Sequence, residues 1–373
     1  MRKVNNEYSW SPSVHVSIDD FSARLKAAFS NYRKLNESFR VGRVAPEVHP
    51  THLHYAFDDD VPFLEALLPT ADTFASNYHG RRKKFLARGH SDAEAYSLTP
   101  TIFRRPQGDH AKRQFDYFMN GYISGASIDY ETRVFASFLS GLNDSSAHLS
   151  KESIAFLQMH ENWAATEVGN ILGPRGPTFN VSNFPNENLL HELAIAQHHG
   201  VPTRFLDWST NPLKALFFAC VGIAPRPKED NKRIGVWLFP LDYLEMCELL
   251  GVVKVVRAAS FQNTYIARQN GVFTLHNLRH QSDGMWNDVD EENKVVMPLD
   301  AYLTDNPKAQ GYIDPLIEHI GKPILMTLPH RHAVRIPAHL SEFDIRYSTL
   351  MPGPHGAALE AIQRHKHYGI SYS

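Results

Sequence analysis

Cysteine is almost missing: the chain of 373 residues has two, Cys220 and Cys247. Neither sits in a CxxC or other metal-ligand spacing, and one pair builds no disulfide framework. A disulfide scaffold and a thiol-held metal are excluded, and a reducing compartment is expected. Long hydrophobic runs are missing too. No stretch approaches the roughly 20 apolar residues of a membrane span, and the opening "MRKVNNEYSWSPSVHV" lacks the apolar core of a secretory signal. The expectation is a cytoplasmic protein with no membrane partner. Charge of one sign is equally lacking: 38 Lys and Arg against 40 Asp and Glu leave a net charge of −2. No global field therefore draws a polyanion, although a local basic patch remains open.

Several catalytic signatures are absent. Without GxGxxG or GxxxxGK[ST], neither a dinucleotide-binding Rossmann site nor a Walker loop is supported. Without GxSxG, an α/β-hydrolase nucleophile elbow is not expected. Histidine is frequent, at 21 residues, yet HExxH does not occur. The pairs His52/His54, His330/His332 and His365/His367 share a face only on a strand. No carboxylate stands at a known ligand spacing from any of them. They read as structural or surface histidines, and no metal is expected.

What is present is an ordinary globular composition, 43% hydrophobic and 21% charged, long enough for a substantial core. Residues 1–75 read as an N-terminal helical extension. Within it, "SIDDFSARLKAAFSNYRKL" places Phe21, Leu25, Ala28 and Phe29 at a helical period, and "DDDVPFLEALLPTADTF" forms a second short helix. Residues 76–373 read as the main body. It opens on the basic cluster "RRKK" at 81–84, a solvated edge or a contact for nucleic acid or phosphate. In "IDYETRVFASFLSGL" the apolar positions Val134, Phe135, Phe138, Leu139 and Leu142 define an amphipathic helix. Glu131 lies one turn before Phe135, near the apolar stripe.

"PNENLLHELAIAQHHG" is a further helix, closed by Gly200. "VPTRFLD" alternates as a short strand, and Asn211-Pro212 starts the helix "LKALFFACVG" with a capping Asn and a Pro at the first position. "RIGVWLFP", "GVVKVV", "TYIARQNGVFTLHN" and "PILMTLP" read as strands. Helices fall mostly early and strands mostly late, an α+β pattern.

The crowded stretch "TRFLDWSTNP" runs from strand into capped helix, where a cleft usually opens and helix amides favour anions. Two readings stand. In one, Arg204 and Asp207 pair to fix the corner and Trp208 is core. In the other, Thr203, Arg204, Asp207, Ser209 and Thr210 line a ligand site, since together they exceed what one corner needs.

The segments "FLARG", "LTPTIFR", "QHHGVPTRFLDWSTNPLKALFFA", "ARQNGVFTLH" and "TLMPGPHGAALEAI" resemble the FRG domain family, named for an aromatic-Arg-Gly motif. The long segment carries most of the likeness, which runs from about residue 80 to the last helix. One departure is Ala87, which stands directly before Arg88 where the motif has its aromatic. The family resemblance implies a bacterial or phage setting, with toxin and phage-defence roles and an antitoxin or regulatory partner.

In motif order the chain is also similar to ADP-ribosyltransferases: Arg88, then "DWSTNPLKALFFA", then "RQNGVF". That similarity implies a split, mixed or antiparallel sheet flanked by helices, with NAD as substrate. It also implies transfer of ADP-ribose to a macromolecule, RNA, DNA or protein. Arg88 would contact phosphate, and Gly89 would let the backbone approach the ligand. Ser209 and Thr210 would bond the ribose or orient the reacting group, and Trp208 or Phe273 would stack on nicotinamide. His198, Thr203 and Arg204 complete the expected cofactor-binding set. The position of the catalytic acid is held by Gln269, so the acid falls to Asp207, with Glu131 and Glu192 as alternatives. A non-catalytic nucleotide or nucleic-acid binding module is the competing expectation.

Overall fold

Apolar side chains in the strand-like stretches alternate between two cores, so the sheet they build carries helices on both faces. The computed structural model describes residues 44–49, 51–74, 83–94, 98–104, 126–164, 184–223, 231–249, 253–257, 264–276, 298–300 and 321–366. Among these residues one sheet gathers β1 (Glu47–Val48), β2 (Leu53–Ala56), β3 (Phe85–His90), β4 (Phe205–Ser209), β5 (Arg233–Pro240), β6 (Val253–Val256), β7 (Gly271–His276) and β8 (Ile324–Pro329). The spatial order is β1-β2-β8-β5-β3-β4-β7-β6. Neighbours are antiparallel except for the parallel β2–β8 pair. This mixed sheet with flanking helices is the α+β class read from the sequence.

Among the described residues the helices are α1 (Asp60–Leu67), α2 (Ala126–Asp144), α3 (Lys151–Ala164), α4 (Leu190–His198), α5 (Pro212–Cys220), α6 (Leu241–Leu249), α7 (Thr264–Gln269), α8 (His330–Ala333), α9 (Ile336–Ser341), α10 (Tyr347–Leu350) and α11 (Pro354–Lys366). Among the described residues no helix is long and apolar enough to cross a membrane.

On one face Phe85, Ala87, Ile234, Val236, Leu238, Met326 and Leu328 pack beneath α5. On the other, Leu86, Leu206, Trp208, Trp237 and Phe239 pack against Tyr243 and Leu244 of α6. A third cluster joins Phe135 and Leu139 of α2, Phe156 of α3 and Leu193 of α4 to Phe205 and Phe273.

The sheet is thinly joined at its centre. β3 pairs with β5 along all six of its residues, and β4 pairs with β7 along all five. Between β3 and β4 only Ala87 and Ser209 are paired.

The sequence-based boundaries shift in three places. Residues 44–74, assigned to a helical extension, contain α1 as expected, but they also contribute β1 and β2 to the main sheet. Tyr55 and Phe57 are buried there, so the division at 75–76 falls inside one sheet. Early strands likewise break the helices-first order. The helix expected around Phe21–Phe29 lies outside the described residues. "VPTRFLD" starts its strand late, at Phe205, because the Arg204 amide donates to Glu131 at 2.6 Å instead of joining a ladder. "TYIARQNGVFTLHN" divides into α7 and β7 at Asn270, whose φ of 54° takes the chain through the left-handed region.

Gly89 is a packing requirement. A Cβ at this position would lie 1.9 Å from the Ala215 carbonyl oxygen of α5, so the absent side chain lets α5 sit directly on β3. This replaces the ligand-approach role expected from the sequence. Gly89→Ala should therefore push α5 off the sheet and cost about 3 kcal/mol, read as a lowered urea midpoint.

Candidate functional site

The site forms where β3 and β4 part. Beyond the Ala87–Ser209 pair the ladder does not continue, and the Arg88 guanidinium links the two strands instead. Its Nη1 donates to the Asp207 carbonyl at 2.7 Å and also to the Asp207 carboxylate. Gln197, in the last turn of α4, donates to the same carboxylate oxygen at 3.3 Å, while its own Oε1 accepts from the Thr203 hydroxyl at 2.5 Å. The Schellman-type end of α4, with Val201 N–H bonded to the Ala196 carbonyl at 3.0 Å and Gly200 at φ 88°, brings these residues back towards β4.

The pair is asymmetric. The Arg88 side chain is 10% exposed and that of Asp207 64%, so the cation is largely covered and the acid presented. Crowding around Asp207 works to raise its pKa, but the Arg88 guanidinium outweighs this by charge and hydrogen bond and holds it below the usual carboxylate value. Asp207 is therefore ionised at neutral pH.

His90 shares the Arg88 face of β3, two residues on. Its Nε2 and the Arg88 Nε are both buried without a hydrogen-bond partner. Burial, then the Arg88 and Arg104 charges, push the His90 pKa well below 6.5, against the opposing pull of Asp207. Burial and then His199 lower His198 in the same way, again opposed by Asp207. Perturbed groups and orphaned polar atoms around one presented carboxylate make this the candidate functional site.

A pH dependence follows. The unfolded chain takes up a proton on His90 as pH falls below 6.5, while the folded protein does not. Stability is thus lost downward from that pH, by up to about 1.4 kcal/mol per pH unit until the folded-state pKa is reached. Urea midpoints at pH 7.5, 6.5 and 5.5 should show the fall, and His90→Leu should flatten part of it.

The other sequence-predicted residues are placed as follows. Arg204 and Glu131 are 2% and 0% exposed. They form a sealed ion pair, Arg204 Nε donating to Glu131 at 2.5 Å and Nη2 to the Phe184 carbonyl at 2.7 Å. Arg204 therefore pairs with Glu131, not with Asp207, and neither residue faces a ligand. Trp208 is core: its Nε1 donates to Thr274 at 2.8 Å and its ring packs edge-on against Phe239. Phe273 is core against Phe205, so neither aromatic is presented for stacking.

Ser209 secures the corner. Its hydroxyl donates to the Gln269 carbonyl at 2.7 Å and accepts from the Asn211 amide at 3.1 Å. Thr210 is exposed, and its amide donates to the Asn270 carbonyl at 3.1 Å. Gln269 ends α7 before β7 begins, off the strand expected to carry the catalytic acid. Glu192 lies in the first turn of α4 with a buried, unpartnered Oε2. Asn211 caps α5 as predicted, accepting from the Leu213 amide at 3.0 Å.

The structure thus brings Arg88, Asp207, Thr203 and His198 into one neighbourhood, and adds Gln197 and His90. Both additions had a signal in the sequence: Gln197 opens "QHHG", and His90 follows Arg88 at strand spacing.

A cavity of about 530 Å³ lies beside the same β4–α5 corner, lined by Asn211, Lys214, Arg268, Phe343 and Asp344 among others. None of the predicted site residues lines it. In the basic cluster, Lys84 is exposed and Lys83 is drawn inward, burial lowering its pKa. Arg81 and Arg82 lie outside the described residues.

Comparison with known proteins gives one family. The FRG domain model matches residues 176–228, the segment carrying α4, β4 and α5. Arg88 and Gly89, which resemble the family's short motif, lie outside the matched range, as does Gln269. No curated protein and no solved structure matches the chain.

Proposed function

We propose that this FRG domain protein transfers ADP-ribose from NAD to a macromolecule, with Asp207 as its catalytic acid residue. The observation that carries the reading is the ionised, solvent-presented Asp207 carboxylate, held by the largely covered Arg88 and by Gln197. In such a transfer the bond between the ribose C1′ and the nicotinamide nitrogen breaks, and nicotinamide leaves with the bonding pair. Positive charge develops on the sugar, and a nucleophile on the target then bonds to C1′ and sheds its proton. A fixed anion beside C1′ stabilises that charge without reorganising.

The low pKa suits Asp207 to charge stabilisation more than to proton abstraction, so the acceptor's proton passes to water or to a group on the target. Arg88 and Gln197 act as positioning residues. With its Nη1 committed to Asp207, Arg88 holds the acid; it does not grip the pyrophosphate as the motif comparison implied. Lysine would be a poor replacement, because its shorter, more strongly hydrated ammonium suits this largely buried position less well than a guanidinium.

An activity of this kind, directed at RNA, DNA or protein, suits a toxin or phage-defence effector kept in check by an antitoxin or regulatory partner. NAD labelled in the adenylate half, incubated with the purified chain and cell extract, should give labelled macromolecules and free nicotinamide. Saturable nucleotide binding with neither product would replace this proposal with a non-catalytic binding module.

A further inference from the structure

We propose that Glu47, His49 and His54 form a binding site for one divalent transition-metal ion of the zinc class, clipping the edge hairpin of the sheet. The stretch "EVHPTHLH" shows no ligand spacing as a linear motif. The hairpin changes that, because β1 and β2 pair Glu47 directly opposite His54. The turn is closed by the His49 amide donating to the His52 carbonyl at 2.9 Å, and the Lys322 ammonium holds the His49 carbonyl at 3.2 Å.

The three side chains then converge, with ligand atoms from each within 4.8 Å of one another. Glu47 Oε1 lies 3.7 Å from His49 Nε2, and Glu47 Oε2 lies 3.7 Å from His54 Nδ1. Both separations exceed ordinary hydrogen-bond reach. Tetrahedral zinc with bonds of about 2.0–2.1 Å sets its ligands about 3.4 Å apart, so each histidine stands within a few tenths of an ångström of the required distance from Glu47.

The outer partner is in place. His54 Nε2 lies 3.0 Å from the hydroxyl of Thr327, which is buried on β8. With an ion on Nδ1, Nε2 carries the proton and donates to that oxygen, the arrangement that fixes ring orientation in metal-bound histidines. Two imidazoles and a carboxylate are a borderline donor set suited to zinc, leaving a fourth position for water. Of the nearby cations, Lys322 binds the turn carbonyl, and Arg233 is committed to the Phe57 carbonyl and to Asp58.

A second cluster, Asp59, Asp60 and His332, serves as the contrast. There Asp60 is already faced by Arg335 at 3.4 Å and His339 at 3.6 Å, so its charge is met from within the chain. At the hairpin no Lys or Arg partners Glu47 among the described residues.

The experiment is zinc titration of the untagged, chelator-stripped full chain, followed by calorimetry, with cobalt absorption reporting the ligand field. One saturable equivalent is expected, together with a raised melting temperature. Glu47→Gln and His49→Ala should each weaken binding by about tenfold or more, while His332→Ala leaves it unchanged. Glu47 is 71% exposed, so Glu47→Gln should fold normally, and the metal-free melting temperature checks this. Absence of saturable binding, or binding that a folded Glu47→Gln protein retains in full, would overturn the proposal.

Discussion

Glu131→Ala is expected to remove about 3–5 kcal/mol of folding stability, a large share of what a domain normally has. Glu131 is wholly buried, and its carboxylate accepts both the Arg204 amide and the Arg204 Nε. Truncation strands a guanidinium inside the protein, with only the Phe184 carbonyl left to receive it among the described residues. The larger part of the cost comes from that uncompensated charge, so it should shrink when both partners go. Glu131→Met combined with Arg204→Leu should recover part of the loss, the remainder being the Arg204 amide left without its acceptor. Urea unfolding of the two single variants and the double variant would decide it. A single-variant cost below about 1 kcal/mol would mean that the ion pair does not anchor α2 to the β4 approach.

Asp207→Asn should do the reverse, sparing stability and abolishing function. The side chain is mostly exposed, and an amide keeps an oxygen for Arg88 and Gln197, so the melting temperature should barely move. The fixed negative charge is gone, however, and label transfer from NAD should fall by about 10²–10³-fold. Arg88→Lys should lower kcat while leaving binding of NAD closer to normal, because it disturbs the placement of the acid and not its existence. Full transfer by Asp207→Asn would remove Asp207 from the chemistry. A fall in activity matched by a fall in melting temperature would reduce it to a structural residue.

Much of the architecture was readable from local chemistry. The capping Asn211 with Pro212, the terminating Gly200 and the alternation in "RIGVWLFP" each act over a few residues, and each formed as expected. The site was readable in part. Strand spacing and the corner motif pointed to Arg88 and Asp207, but their partners depend on long-range register. Arg204 is adjacent in sequence to the polar corner, and it turns inward to Glu131, 73 residues earlier. Trp208 looks like a stacking platform in the motif, whereas the period of two along β4 sends it into the core beside Leu206. Gly89 looked like a ligand contact because nothing in its neighbourhood reveals that a helix more than a hundred positions later lies against it. The metal-binding potential of "EVHPTHLH" was hidden for the same reason: a carboxylate becomes a ligand only when a turn folds it across.

The single rung between β3 and β4 gives the sheet a seam. On either side lies a full ladder that keeps its own registry, so a small shear along this line would disturb almost no backbone hydrogen bonds. It would, however, carry Asp207 away from Arg88, since the acid rides on one ladder and the guanidinium on the other. The placement of the two ladders and the charge state of the acid are thus tied together through a single ion pair.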